Sequence, residues 1–418
     1  MAVKPLRLLH AANLRLDCPL QQFGTWSEEI RDLLESSTLV AFDRLIGLAI
    51  ERDVDAVMIT GNSFDASVAG LTAEVALRAG FERLDERSIP VFVTPGRLDP
   101  LAAWDDLPSL PGNVTILADA SESPIDLTDH GRLLATLIPV TADSAVEPHE
   151  LDNIFAARAA HVTDRPFVVG LALPMREMRA NIAARFAALD WLACAAGDDV
   201  AANLPLTDGT INAQFGPQGL SIDESGPRGA TLLEIDSQRR VKQTLVPLCP
   251  VRWEQITQSL DRVTSRDDLL ERMLAAVERL SSPPGELMRI IHWKLDRTTG
   301  ETRGWEMESA IHELAASLTE LTDQAGGLRY IHQIQPLDPD LSLIEPAHRE
   351  LLTEFLLALD RRSPVDRASM NKWRTDARLG EALKSNRWEQ WADAVGSETI
   401  AERAQQLGWQ WFTTIGKR

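Results

Sequence analysis

Cysteine is scarce in this chain. Its three residues, Cys18, Cys194 and Cys249, are scattered and odd in number, which leaves neither a disulfide framework nor a cysteine metal site. No apolar run approaches the roughly 18 residues that span a bilayer. The N-terminal MAVKPLRLLH enters a strand pattern directly, with no signal-peptide core ahead of it. These absences set the expectation of a cytoplasmic protein that engages no membrane. Histidine is thin as well: His10, His130, His149, His161, His292, His312, His332 and His348 form no H-x-H, H-x-x-x-H or G-H pair. Positive charge is the minority sign, 42 Lys and Arg against 62 Asp and Glu, for a net charge of −20. Such a surface favours solubility and repels a phosphate backbone over long range unless a local basic patch outweighs it.

What is present is ordinary globular material. A chain of 418 residues, 44% hydrophobic and 25% charged, has enough for two or three domains with full cores. Its organising stretch is DAVMITGNSFD (Asp55 to Asp65), where Ala56 to Ile59 read as a strand buried on both faces and Gly61-Asn62 turn the chain. The same pattern precedes it in LRLLHAANLRLD (Leu6 to Asp17) and follows it in IPVFVTPGRLDP (Ile89 to Pro100). Helical periodicity fills the gaps, from about Ser27 to Arg52 and from Leu71 to Arg87. Strands alternating with helices predict βαβ units and a parallel sheet whose ligands lie at the strand ends.

Between Asn113 and Val140 short strands separated by turns predict antiparallel hairpins. Helices are expected over His149 to His161 and Met175 to Leu189, with strands at Phe167 to Leu173 and Leu189 to Gly197. VPLCPVRW (Val246 to Trp253), punctuated by two prolines, reads as a linker. Beyond it come a helix (Arg266 to Leu280), a strand (Glu286 to Asp296), a helix (Gly304 to Leu321) and a strand (Gly327 to Leu337). The tail from Pro346 is helical and holds Trp373, Trp388, Trp391, Trp409 and Trp411. Those tryptophans suit either core packing or a partner surface. The helix Ala347 to Arg361, with Leu351, Leu352, Phe355, Leu356 and Leu359 on one face, could equally dock a partner.

The three strand ends resemble the first three motifs of calcineurin-like metallophosphoesterases, in particular the SbcD/YhaO-type DNA-repair exonucleases. That family reads D-x-H-L-D, G-D-x-F-D and G-N-H-D where this chain reads Asn13-Leu14-Arg15-Leu16-Asp17, Gly61-Asn62-Ser63-Phe64-Asp65 and Gly96-Arg97-Leu98-Asp99. A further run, G-x-x-Q-G and then E-x-G-x-x-G, is matched by Gly216, Gln218, Gly219, Glu224, Gly226 and Gly229. The resemblance implies an α/β (α+β) fold: a four-layer metallophosphoesterase-type β-sandwich flanked by helices (1–250), a smaller α/β capping domain (251–345) and a helical Trp-rich C-terminal region (346–418).

It also implies a site whose frame is kept and whose metal ligands are not. A two-metal phosphodiesterase needs carboxylate, imidazole or amide oxygens around two ions roughly 3.5–4 Å apart. The family's first motif supplies Asp and His; here Asn13 and Arg15 stand there. Asn62 replaces the bridging Asp, Arg97 the ligating Asn, and Leu98 the catalytic His. The fourth-motif His falls at Ala172 or Leu173, and the G-H-x-H of the fifth at Ala195, Ala196, Gly197 and Asp198. No metal and no other cofactor is therefore expected, although the family would use two Mn²⁺ or Mg²⁺.

Asp17, Asp65 and Asp99 are read as structural acceptors of backbone N–H groups in the turns. Arg15 and Arg97 either bind a phosphate or carboxylate, or pair with Asp17, Asp65, Asp99 or Asp198. The leading expectation is a catalytically inactive homologue of a DNA-repair exonuclease, a scaffold or regulatory subunit for an SbcC/YhaN-type coiled-coil ATPase. It would touch DNA only weakly or through that partner, and a homodimer is open. The alternatives are an active metal-dependent exonuclease or phosphodiesterase with an unorthodox site using Asp198, and a phosphate- or nucleotide-binding module.

Overall fold

Three apolar runs form the centre of the molecule: β1 (Leu6–Ala12), β2 (Ala56–Thr60) and β3 (Val91–Thr94). All but Arg7 are buried, as expected of strands covered on both faces. The computed structural model describes residues 6–21, 27–67, 70–107, 109–117, 125–129, 132–140, 167–171, 191–196, 211–236, 238, 240–260, 262–296, 308–323, 328–335, 351, 354 and 355. The helices expected over His149 to His161 and Met175 to Leu189, and nearly all of the C-terminal tail, lie outside the described residues.

The strands β1, β2, β3 and β4 (Val114–Ile116) run parallel, and β10 (Gly229–Ile235) and β11 (Val241–Pro247) extend the sheet antiparallel beside β1. Thr60 pairs with both Ala12 and Thr94, so the three motif-bearing turns leave the sheet side by side. The hairpin expectation fails for Val114–Ile116, which joins the parallel sheet because its backbone continues the ladder of β3. It holds for β5 (Ile125–Asp129) and β6 (Arg132–Val140), which pair antiparallel. These two open a second sheet, completed in parallel by β7 (Phe167–Leu171), β8 (Trp191–Ala196) and β9 (Ile211–Gln214).

Alternation along the strands builds two cores. Leu9, Ala11, Val57, Ile59, Val91 and Val93 face α1 (Glu28–Glu51) and α2 (Leu71–Asp85). Leu8, Met58, Phe92, Leu233 and Ile235 face Leu127, Ala135 and Leu137 of the second sheet. Helices, sheet and sheet are thus stacked, the mixed α/β architecture anticipated from the sequence. Ser27 caps α1 by accepting from Ile30 N–H, and Glu28 and Glu29 place negative charge on its positive end.

A third, three-stranded sheet comprises β12 (Val251–Ser259), β13 (Met288–Asp296) and β14 (Arg329–Gln335), with α3 (Arg266–Glu278) and α4 (Glu308–Asp323) between them in sequence. The stretch Val246 to Trp253 is not an exposed linker. It runs from the end of β11 across Leu248 to Pro250 into the start of β12, and Leu248, Cys249, Val251 and Trp253 are buried. The two prolines sit at the end of β11 and just before β12, where no ladder N–H is lost. The chain divides into two compact units: Met1–Gln258 with Val263–Lys294 and His312–Gln335, and Ser259–Arg262 with Leu295–Ile311 and Pro336–Arg418. Among the described residues no helix is long and apolar enough to cross a membrane.

Candidate functional site

The first strand-end loop is an alternating chain of left-handed residues: Asn13, Arg15 and Asp17 have φ of 48°, 44° and 61°. Each costs roughly 1–2 kcal/mol in a non-glycine residue. The loop tolerates this because the intervening Leu14 and Leu16 are fully buried and its backbone is pinned to the second loop. Asn13 N–H donates to Thr60 O (3.1 Å), Arg15 N–H to Asn62 O (3.0 Å) and Leu16 N–H to Ser63 O (2.9 Å).

Asn62, where the resemblance puts a bridging carboxylate, has both ends of its amide hydrogen-bonded. Leu98 N–H donates to its Oδ1 at 2.9 Å, and its Nδ2 donates to Asn13 Oδ1 at 2.9 Å. The backbone N–H can only donate, which fixes the orientation of the Asn62 amide. Gly96 makes this approach possible, since a Cβ there would lie 2.3 Å from Asn62 N and 2.6 Å from its Oδ1.

Asp99 anchors the third loop from beneath. It is fully buried and accepts from Ser63 N–H (2.8 Å), Gly96 N–H (2.6 Å) and the Trp104 indole (3.2 Å). Burial pushes its pKa up to about 6, against the opposing pull of those donors. Asp65 accepts from the backbone and hydroxyl of Ser67 (2.9 and 2.6 Å), which hold its carboxyl below the usual range, with a smaller pull from the charge of Arg97. Both therefore serve their turns as the sequence suggested. Asp17 instead lies against the start of α2, where a Cβ on Gly70 would be 3.3 Å from its Oδ2.

The two arginines part company. Arg97 is exposed and makes no ion pair with another described residue. Arg15 does not pair with Asp17, Asp65 or Asp99: its Nη2 lies 2.6 Å from both carboxylate oxygens of Glu224. Asp198 lies outside the described residues, as do Ala172, Leu173 and Gly197. Ala195 and Ala196 close β8. Glu224 is placed by the turn that follows β9, where it also accepts Leu220 N–H at 2.8 Å. Gly216 lets that turn graze the first loop, since a Cβ there would meet Asn13 O at 2.6 Å and Arg15 Nη2 at 3.3 Å.

Two residues that sequence reasoning did not single out by role complete this corner. Arg228 donates from Nε to Glu224 O (3.0 Å) and lies over the Phe215 ring, 4.9 Å from its centroid. Burial lowers its pKa. Gln218 clamps β12: its Nε2 donates to Val251 O (2.7 Å) and its Oε1 accepts from Val251 N–H (3.2 Å). The Trp253 indole adds a bond to Gly219 O at 2.9 Å. The G-x-x-Q-G spacing was the available signal.

A separate cleft of about 560 Å³ is lined by residues of α1, α4 and β14, among them Ile30, Thr319, Asp323, Tyr330 and His332. Its histidine is spoken for. Trp293 Nε1–H donates to His332 Nδ1 (2.9 Å), leaving Nε2–H for Thr322 Oγ1 (3.2 Å), and burial lowers the pKa to about 4.

The strand-end residues do not fit a pair of divalent ions. Asn62 offers only a neutral oxygen that already accepts from Leu98 N–H and turns an amide N–H toward Asn13, Leu98 offers no side-chain donor atom, and Arg15 brings a permanent cation. Among the described residues, no three His, Cys, Asp or Glu side chains converge as metal ligands.

A mixed α/β chain with three such loops side by side is consistent with the metallophosphoesterase class. The chain is similar to the uncharacterized metallophosphoesterase YhaO of Bacillus subtilis (strain 168), 30% identical over 167 residues, 40% of each chain. The match thus spans well under half of that relative's length. Among solved structures it is similar to TT1561 of Thermus thermophilus, at 13% identity and a TM-score of 0.32, over 58% of this chain and 99% of that one. No protein-family model matches the chain.

Proposed function

We propose that this chain is a metallophosphoesterase-like protein whose strand-end loops have given up two-metal hydrolysis for a structural and binding role. The observation that carries the reading is the Asn62 carboxamide, bonded at 2.9 Å to both Leu98 N–H and Asn13. A bridging ligand must present negative oxygen to two cations at once, because that charge offsets theirs. Asn62 presents a neutral oxygen already bonded to a backbone N–H, and an N–H in place of the second oxygen. The charge of Arg15 is balanced by Glu224 rather than exchanged for a metal. On the resemblance seen in the sequence, the scaffold works as a regulatory subunit of an SbcC/YhaN-type coiled-coil ATPase, with DNA reached weakly or through that partner.

The test is metal content after exposure to excess Mn²⁺, by elemental analysis and by anomalous scattering from crystals, with turnover of a chromogenic phosphodiester measured in parallel. The expected result is no stoichiometric Mn²⁺ at Asn62 and no turnover. Two ions per chain beside Asn62 together with hydrolysis would overturn the reading. The partner is tested by co-purification with an SbcC/YhaN-type ATPase expressed alongside.

A further inference from the structure

We infer that the strand-end loops carry an oxyanion site of the phosphate class, built from Arg15 and Arg228. The inference rests on the reading above, in which no metal pair sits at the strand ends and guanidinium groups supply the positive charge there.

Both guanidinium groups belong to one cluster around Glu224. Arg15 bonds its side chain through Nη2, and Arg228 its backbone carbonyl through Nε at 3.0 Å. Arg228 is 9% exposed, with its guanidinium over the Phe215 ring. After these bonds are made, Arg15 Nε and Arg228 Nη1 remain, both shielded from solvent and both without a hydrogen-bond acceptor. Buried N–H groups are satisfied in nearly all native structures, so each of these calls for an acceptor. Charge asks for the same thing. Two guanidinium groups face one carboxylate, and Cys249, the other group acting on Arg228, is kept a neutral thiol by burial. The cluster is left with one net positive charge. A tetrahedral oxyanion offers several acceptor oxygens and a matching negative charge, the pairing for which guanidinium geometry is suited. The position is the carboxyl end of β1, beside the turn that follows β9, where open α/β sheets place ligands.

The experiment is a thermal-unfolding titration of the full chain with inorganic phosphate, ionic strength being held constant with chloride. A saturable rise in Tm of roughly 2–4 °C is expected. It should vanish in Arg228→Met and persist in Arg78→Met, an exposed control on α2. A second arm uses phenyl phosphate: an equal rise assigns a phosphate monoester, and a rise with inorganic phosphate alone assigns the free ion. Absence of a saturable rise, or a rise that survives Arg228→Met, overturns the site. Should Arg228→Met not fold, crystals of the unaltered chain soaked in tungstate decide. An anomalous peak within hydrogen-bond reach of Arg15 Nε and Arg228 Nη1 supports the site, and no peak there refutes it. Failure here without Mn²⁺ uptake removes only the oxyanion site, whereas Mn²⁺ uptake with hydrolysis removes the reading beneath it.

Discussion

Removing either end of the Arg15–Glu224 pair should cost far more than removing an exposed ion pair. Arg15 Nη2 lies 2.6 Å from both carboxylate oxygens, and the side chains are only 17% and 15% exposed. Arg15→Ala leaves the Glu224 carboxylate largely shielded, with Leu220 N–H as its remaining donor. Breaking a fully buried pair costs about 3–5 kcal/mol, and the residual exposure lets water recover part of it, so about 2–4 kcal/mol is expected. Glu224→Ala should cost about the same, because Arg15 Nε already lacks an acceptor and Nη2 would lose its own. The double variant removes both charges together and should cost about 2 kcal/mol less than the sum of the singles, the coupling energy of the pair. Urea unfolding monitored by far-ultraviolet circular dichroism, with denaturant slopes compared across all four proteins, measures this cycle. A coupling below about 0.5 kcal/mol would refute the claim that the pair joins the first loop to the Glu224 turn.

Arg97→Ala, by contrast, should change stability by no more than about 0.5 kcal/mol, since the side chain is exposed; a loss above about 1.5 kcal/mol would reveal a partner among the undescribed residues. Gly96→Ala should destabilise by about 2–3 kcal/mol, because the new Cβ would meet Asn62 N at 2.3 Å, and a neutral effect would mean the loop can shift. Asp99 gives a pH signature of unusual sign. Its folded pKa of about 6 lies above the ordinary carboxylate value, so the folded chain holds this proton more tightly than the unfolded one. Its contribution is full below about pH 4 and falls, by on the order of 3 kcal/mol, as pH rises through 6. Unfolding free energies of the unaltered chain and Asp99→Asn, measured from pH 4 to 7, should therefore differ by an amount that declines with pH, and a constant difference would refute the assignment.

Much of the central sheet was legible because its strands are uninterrupted apolar runs, each stopped by a polar turn. Those turns align because the parallel ladder brings Ala12, Thr60 and Thr94 level. The residues that occupy the three strand ends could also be read off, since Asn62, Arg97 and Leu98 follow their strands at fixed spacing. What could not be read was the fate of the charges. Arg15 and Glu224 are 209 residues apart, and no local pattern announces that they meet. The aspartates of the strand-end turns were the natural guess, but Asp99 is held by backbone and indole donors and Asp65 by Ser67. The strands on either side of Cys249 were hidden for a different reason. Pro247 and Pro250 signal a break, and the break is real but only three residues long, between the partly exposed β11 and the buried start of β12.

The turn from Gly216 to Arg228 touches the first loop through Arg15 and β12 through Gln218 and Trp253. It has few bonds of its own to spare, so it cannot open toward solvent without releasing both neighbours. In hydrogen exchange, the amides of Gln21, Leu220 and Val251, each bonded within or to this turn, should accordingly become labile together, as one cooperative block with a common opening energy. A ligand that steadies Arg15 would then slow exchange at Val251 as well, and strain on the third sheet would be felt at the first loop.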